Sequence, residues 1–130
     1  MAYAPGISLG PPIYHQRTSA AWKLNQAAVA GTWYTVTYTG FPVGARALSV
    51  FAMIIGIGTA DVSLIWRPYN NGDTVANSLH RTIGYARLLN ETQGSIVHVV
   101  IDSAGRVDFG VTGGNAQILG GDWVDYYMGG

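Results

Sequence analysis

The chain contains no cysteine and little charge. Without a thiol, disulfides and cysteine nucleophiles are excluded, and the redox compartment leaves no trace in the sequence. Seven Lys+Arg balance seven Asp+Glu among 130 residues, so 11% of the chain is charged and the formal net charge is zero. An average soluble protein carries about 25% charged residues. A neutral chain offers no long-range attraction to nucleic acid or to an anionic membrane, so neither is expected as a partner. Glutamate occurs once, at Glu91. A facing pair of carboxylates for glycoside hydrolysis would therefore come from aspartates that fall mostly at strand ends and turns. Long apolar runs are also missing. The strongly apolar uncharged stretch Ala47 to Ala60 is interrupted by Gly56 and Gly58 and is shorter than the roughly 20 residues of a membrane-spanning helix. Its branched residues suit a buried strand. The N-terminal "MAYAPGISLGPP" has neither a basic n-region nor a continuous apolar h-region, so no secretory signal is expected. So few charges cannot cover a surface in the usual way. Either part of the surface is buried against other subunits, or it is built from Thr, Ser, Asn and Gly.

What is present divides at about residue 17. Residues 1–17 hold three of the five prolines. The pair Pro11-Pro12 favours an extended path and forbids a helix. The apolar residues of this stretch make it an expected arm that lies on something, either its own domain or a neighbouring subunit. Residues 18–130 read as short strands between Gly-rich turns: 18–24, 31–40, 45–58, 60–68, 81–89, 95–102, 105–111 and 116–128, with a weak segment at 75–79. The segment "WKLNQAAVA" has the composition for one helical turn before Gly31 closes it. In 31–40, Tyr34, Val36 and Tyr38 alternate with Trp33, Thr35, Thr37 and Thr39, a period of two. In 95–102, Val97, Val99 and Ile101 form the expected core face, and His98 points outward. The expected fold is all-β: a single antiparallel β-sandwich or jelly roll of about eight strands with an extended N-terminal arm.

The chemistry-bearing residues fall into turns. "DSAG", Asp102 to Gly105, puts an aspartate, a serine and a nearby Arg106 together, but Asp opens and Gly closes a hairpin turn there. His15, His80 and His98 are the histidines, and no G-x-S-x-G elbow accompanies them. No His/Cys cluster has metal-ligand spacing. "NNGD", 70–73, has oxygens for a loose calcium site but suits a loop turn better. "GIGTAD" lacks the glycines of a phosphate loop. "Asn90-Glu91-Thr92" matches a glycosylation acceptor, a pattern common by chance. No cofactor, no metal and no catalytic residue is expected. The aromatics, four Trp, eight Tyr and three Phe, stand out more. Trp22, Trp33, Trp66 and Trp123 could stack carbohydrate, or anchor a core or an interface. Trp33 lies on the Thr face of its strand and needs something to cover it. Strict alternation in the terminal "GGDWVDYYM" puts Trp123 and Asp125 on one face, within a strand that pairs inside a sheet.

The order "TWYTVTYTGFP", "GARALSVFAMI", "WRPYNNGD", "VVIDSAGRVDF" and "ILGGDWVDYYM" resembles small β-sandwich, jelly-roll-like modules of tailed-bacteriophage virions, as in capsid decoration (cement) proteins and tail-fibre tips, over about residues 30–128. The resemblance implies a non-enzymatic virion structural protein, assembled in the bacterial host cytoplasm, usually as a homotrimer, with no catalytic residues to carry over. A free-standing domain with a Pro-rich arm suits a decoration protein that binds and stabilises the head shell. Its partners would be itself and the major capsid protein. Tyr3, Pro5, Ile7, Leu9, Pro11, Pro12, Ile13 and Tyr14 would line the arm. The alternative is a receptor- or carbohydrate-binding tail module with a glycan partner. Its candidate ligand or interface surface is Trp33, Trp66, Arg67, Tyr69, Asn70, Asn71 and Asp73.

Overall fold

In the computed structural model, residues 22–58, 61–75, 81–86 and 92–129 are described, with 81–86 as backbone alone. Among these residues eight strands are present: β1 Leu24–Ala28, β2 Tyr34–Thr37, β3 Ala45–Gly56, β4 Val62–Pro68, β5 Arg81–Ala86, β6 Thr92–Val100, β7 Arg106–Thr112 and β8 Ala116–Met128. They form two antiparallel four-stranded sheets, ordered β1-β8-β3-β6 and β2-β7-β4-β5. Successive strands alternate between the sheets from β1 to β4 and again from β5 to β8, with β4 and β5 paired as neighbours in one sheet. This is the eight-stranded jelly-roll arrangement of a sandwich.

The period-two pattern sets which faces meet. Leu48, Val50, Ala52, Ile54, Val99 and Ile118 of the first sheet pack against Val36, Val62, Leu64, Trp66, Val107, Phe109 and Val111 of the second. Trp66 and Tyr34 both tilt against Phe109, with ring centroids 5.6 and 5.7 Å away. The alternation expected in β2 and β6 is observed. Val36 and Tyr38 are buried between exposed threonines, and Val99 and Ile101 are buried while Ile96 and Val100 are exposed.

Two local expectations are corrected. Of the strand expected at 18–24, residues 18–21 lie outside the described residues and only Leu24 is in a strand, and "WKLNQAAVA" makes no helical turn. Leu24–Ala28 is a strand, paired residue for residue with Ala116–Gly120. The helix preference of its alanines is worth only tenths of a kcal/mol per residue. The ladder on β8, and the burial of Leu24 and Ala28, outweigh it. The second correction concerns β8. Its register against β3 shifts between Ser49/Val50 and between Val50/Ala52. Each shift adds one residue to β8, a β-bulge. Trp123 therefore faces inward opposite Val50, while Asp125 lies opposite Ser49 on the outer face, and strict alternation fails there. The adjacent Gly120 is tightly held: a Cβ on it would meet Leu24 Cδ1 at 2.7 Å.

Candidate interaction surface

Apart from Trp66, the residues that the glycan reading selected gather on the outer side of the second sheet, and most of their polar groups bind one another. Thr35, Asp108 and Arg67 form one row across β2, β7 and β4. Asp108 is the hub. It accepts from Thr35 Oγ1 at 2.7 Å, Arg67 Nε at 2.8 Å and the Asn70 backbone N–H at 3.0 Å. The Arg67–Asp108 ion pair is inaccessible, with side-chain exposures of 11% and 3%. A buried ion pair needs further hydrogen bonds to offset its desolvation: Arg67 Nη1 donates to the Asp73 carbonyl, which also accepts from Trp33 Nε1. The Arg67 guanidinium lies 4.5 Å from the centre of the Trp33 ring. That contact is what covers Trp33. Tyr69 carries Arg106 over its ring at 4.0 Å. Asn71 closes an Asx turn, accepting from Asp73 N at 3.0 Å, beside Asn70 at φ 54° and Gly72 at φ 93°. Trp66 must be removed from the ligand surface: it is 3% exposed, inside the core. Asn70–Asp73 is a turn, and no cluster of three or more His, Cys, Asp or Glu exists among the described residues.

The Asp102 stretch is a turn, as its residues imply. Asp102 Oδ1 accepts the backbone N–H groups of Ala104 and Arg106 at 3.0 and 2.9 Å, and Oδ2 pairs with Arg106 Nε at 2.8 Å. Partial desolvation pushes the Asp102 pKa up, but the Arg106 hydrogen bonds and charge outweigh it, so the carboxyl sits below its ordinary value. Gly105, at φ +81°, closes the turn and gives its carbonyl to Tyr38 N. This turn and the β2–β3 loop flank an open groove of about 610 Å³, lined by Phe41, Val43, Arg46 and Ile101 among others.

The first sheet differs from the second on its outer side. Outward positions of β3 read Ala47, Ser49, Phe51, Met53 and Ile55. Opposite them lie Val100, His98, Ile96, Gly94 and Thr92 of β6, and Tyr127, Asp125, Leu119 and Gln117 of β8. A solvated sandwich face alternates polar outside with apolar inside. Here the outside is mostly apolar, with Ile96 52%, Val100 50% and Tyr127 41% exposed. Asp125 is the one carboxylate in these rows, and none of them carries Lys or Arg. The polar patch at the centre is internally bonded: Ser49 Oγ lies 2.9 Å from His98 Nδ1 and 3.0 Å from Tyr127 OH, and Tyr127 stacks edge-on against His98 at 5.1 Å. The Ser–His contact was invisible in the sequence, since 49 positions separate its members. It lacks the layout of a nucleophile, because Ser49 is 3% exposed beneath its neighbours.

The remaining candidates Tyr3, Pro5, Ile7, Leu9, Pro11, Pro12, Ile13 and Tyr14 lie outside the described residues. No protein family, no curated protein and no solved structure matches the chain.

Proposed function

We propose that this chain is a non-enzymatic structural protein of a virion, a capsid decoration subunit that binds and stabilises the head shell, with the major capsid protein as its partner. The observation that carries the reading is the outer face of the β1-β8-β3-β6 sheet, where Ala47, Phe51, Met53, Ile55, Ile96, Val100 and Tyr127 stand in adjacent rows without a basic residue. An exposed apolar patch of this kind marks an interaction surface. Burial there releases about 25 cal/mol per Å² of apolar area. A subunit that binds only the assembled shell stabilises it by mass action. The jelly-roll order is compatible with this role, but it also hosts lectins and enzymes and does not select among them. The glycan alternative loses support, because the polar groups proposed for it are bonded to each other around Asp108.

The test is co-sedimentation with expanded head shells of the phage that encodes the chain. Stoichiometric, saturable binding is expected. Met53→Lys should weaken it at least tenfold without lowering the melting temperature by more than a few degrees. Sulfate should strengthen it, as it does apolar association. Deleting residues 1–17 should abolish decoration if the arm lies on the shell. Absence of binding by the intact chain, with saturable binding to host glycans, would reject the proposal.

A further inference from the structure

A sheet edge presents unpaired backbone groups. Proteins guard such edges with short strands, charge, proline or bulges. Among the described residues, the sandwich has four edge strands: β1 and β6 in one sheet, β2 and β5 in the other. β1 has five residues, β2 has four, and β5 has six and begins with Arg81. β6 differs from all three. It runs nine residues, TQGSIVHVV, with no Lys, Arg, Asp, Glu or Pro. Its register against β3 is unbroken through nine pairs, from Ala47↔Val100 to Ile55↔Thr92, so no bulge twists the edge away. Among the described residues, each of these guards is missing from the longest edge, and the side chains flanking it on the outer face, Ile96 and Val100, are half exposed.

We propose that β6 is the edge through which two copies of this chain pair, antiparallel about a two-fold axis. A two-fold axis perpendicular to the sheet makes two identical strands antiparallel, so the interface is self-complementary. Centring the axis on Ile96, the middle of the strand, overlaps all nine residues. Ile96 then meets Ile96 of the second copy, His98 meets Gly94, and Val100 meets Thr92. No charges face each other, and the largest outward ring in β6 lies opposite a residue without a side chain. The result is one eight-stranded sheet, β1-β8-β3-β6 continued into β6-β3-β8-β1 of the second copy. Its outer face doubles the apolar surface described above. A nine-residue strand is about 30 Å long, and its edge contact falls well below the roughly 800 Å² per partner of a standard stable interface. Pairing is therefore weak and depends on concentration. The two-fold pair departs from the homotrimer that the virion resemblance implies, and it does not depend on shell binding.

The experiment is light scattering of the intact chain from about 1 µM to about 1 mM, with amide hydrogen exchange at both ends of that range. The expected mass rises from 13.8 kDa towards twice that value, with β6 amides exchanging at least tenfold more slowly at high concentration. Ile96→Lys should raise the dissociation constant at least tenfold. Val29→Lys, at an exposed site away from β6, should not. A monomer at about 1 mM, or any oligomer whose β6 amides gain no protection, would overturn the proposal. The exchange measurement on the unmodified chain decides the matter even if Ile96→Lys fails to fold.

Discussion

At the scale of single residues, Asp108 is the most consequential polar group described. It is 2% exposed, and three donors converge on it from β2, β4 and the following loop. Removing one partner of a buried ion pair leaves the other charge uncompensated, at a cost of about 3–5 kcal/mol. Asp108→Ala is expected to lose that much in urea unfolding. Asp102 is the contrasting case, because its ion pair with Arg106 is partly solvated, with side-chain exposures of 42% for Arg106 and 31% for Asp102. Its folded pKa lies below the ordinary carboxylate value. The stabilisation is therefore fully present above pH about 4, where the unfolded carboxyl is ionised, and is lost as pH falls through the lower folded value. Asp102→Asn should flatten the acid limb of the stability profile and leave the slope near neutrality unchanged. An unaltered acid limb in the variant would show that Asp102 carries no such linkage. Tyr38 titrates far from this window: burial, with the charge of Asp122 adding to it, pushes its hydroxyl strongly up.

At the scale of elements, turns and bulges place the strands. Gly105 is the clearest requirement. Its φ of +81° favours glycine, and a Cβ there would collide with the Tyr38 carbonyl and the Phe41 ring. Both the strained dihedral and the clash oppose a side chain, each costing on the order of 1–3 kcal/mol. Gly105→Ala should therefore lower stability by about 2 kcal/mol or more. Gly31→Ala, at φ +85° with open space around it, should cost about 1 kcal/mol from backbone strain alone. Equal losses in chemical denaturation would mean that the contact with Tyr38 and Phe41 contributes nothing. The two bulges in β8 act differently. By adding residues between Gly120 and Asp125 they turn Trp123 inward, where its Nε1 donates to the Thr39 carbonyl at 2.8 Å, and return Tyr127 to the outer face beside Ser49.

At the scale of the whole molecule, the two outer faces of the sandwich have opposite characters. One carries a row of polar groups, Thr35–Asp108–Arg67, roofed in part by the loop that brings Asp73 to Trp33. The other is mostly apolar from Val100 to Ile55, around the internally bonded patch of Ser49, His98 and Tyr127. Among the described residues, the outward rows of β3, β6 and β8 carry a single charged side chain, Asp125, and that gives the association proposals a location. Screening by salt weakens contacts between exposed charges and leaves apolar burial intact. Shell binding that survives added sodium chloride would fit this face, and binding that collapses in it would point to the Arg- and Asp-bearing side.

The chain itself determined the class of fold. Period-two runs separated by glycine turns can bury their apolar positions only between two sheets, so eight strands, the inward faces of β2 and β6, and the Asp102–Gly105 turn were all legible from residue order. Helix propensity misplaced β1, because the ladder that makes Leu24–Ala28 a strand comes from residues more than 85 positions away. Strict alternation misassigned Trp123 and Asp125, because bulges depend on the partner strand. The aromatic and polar residues around Trp66 were visible as a group, but their directions were not. Only the tertiary structure decided that Trp66 enters the core, that Arg67 and Asp108 neutralise each other out of water, and that Ser49 meets His98. It also decided that the uncharged residues of β3, β6 and β8 share one surface. The physical reason is the same in each case: a side chain's partner across a sheet is chosen by register, and register is a property of two strands together.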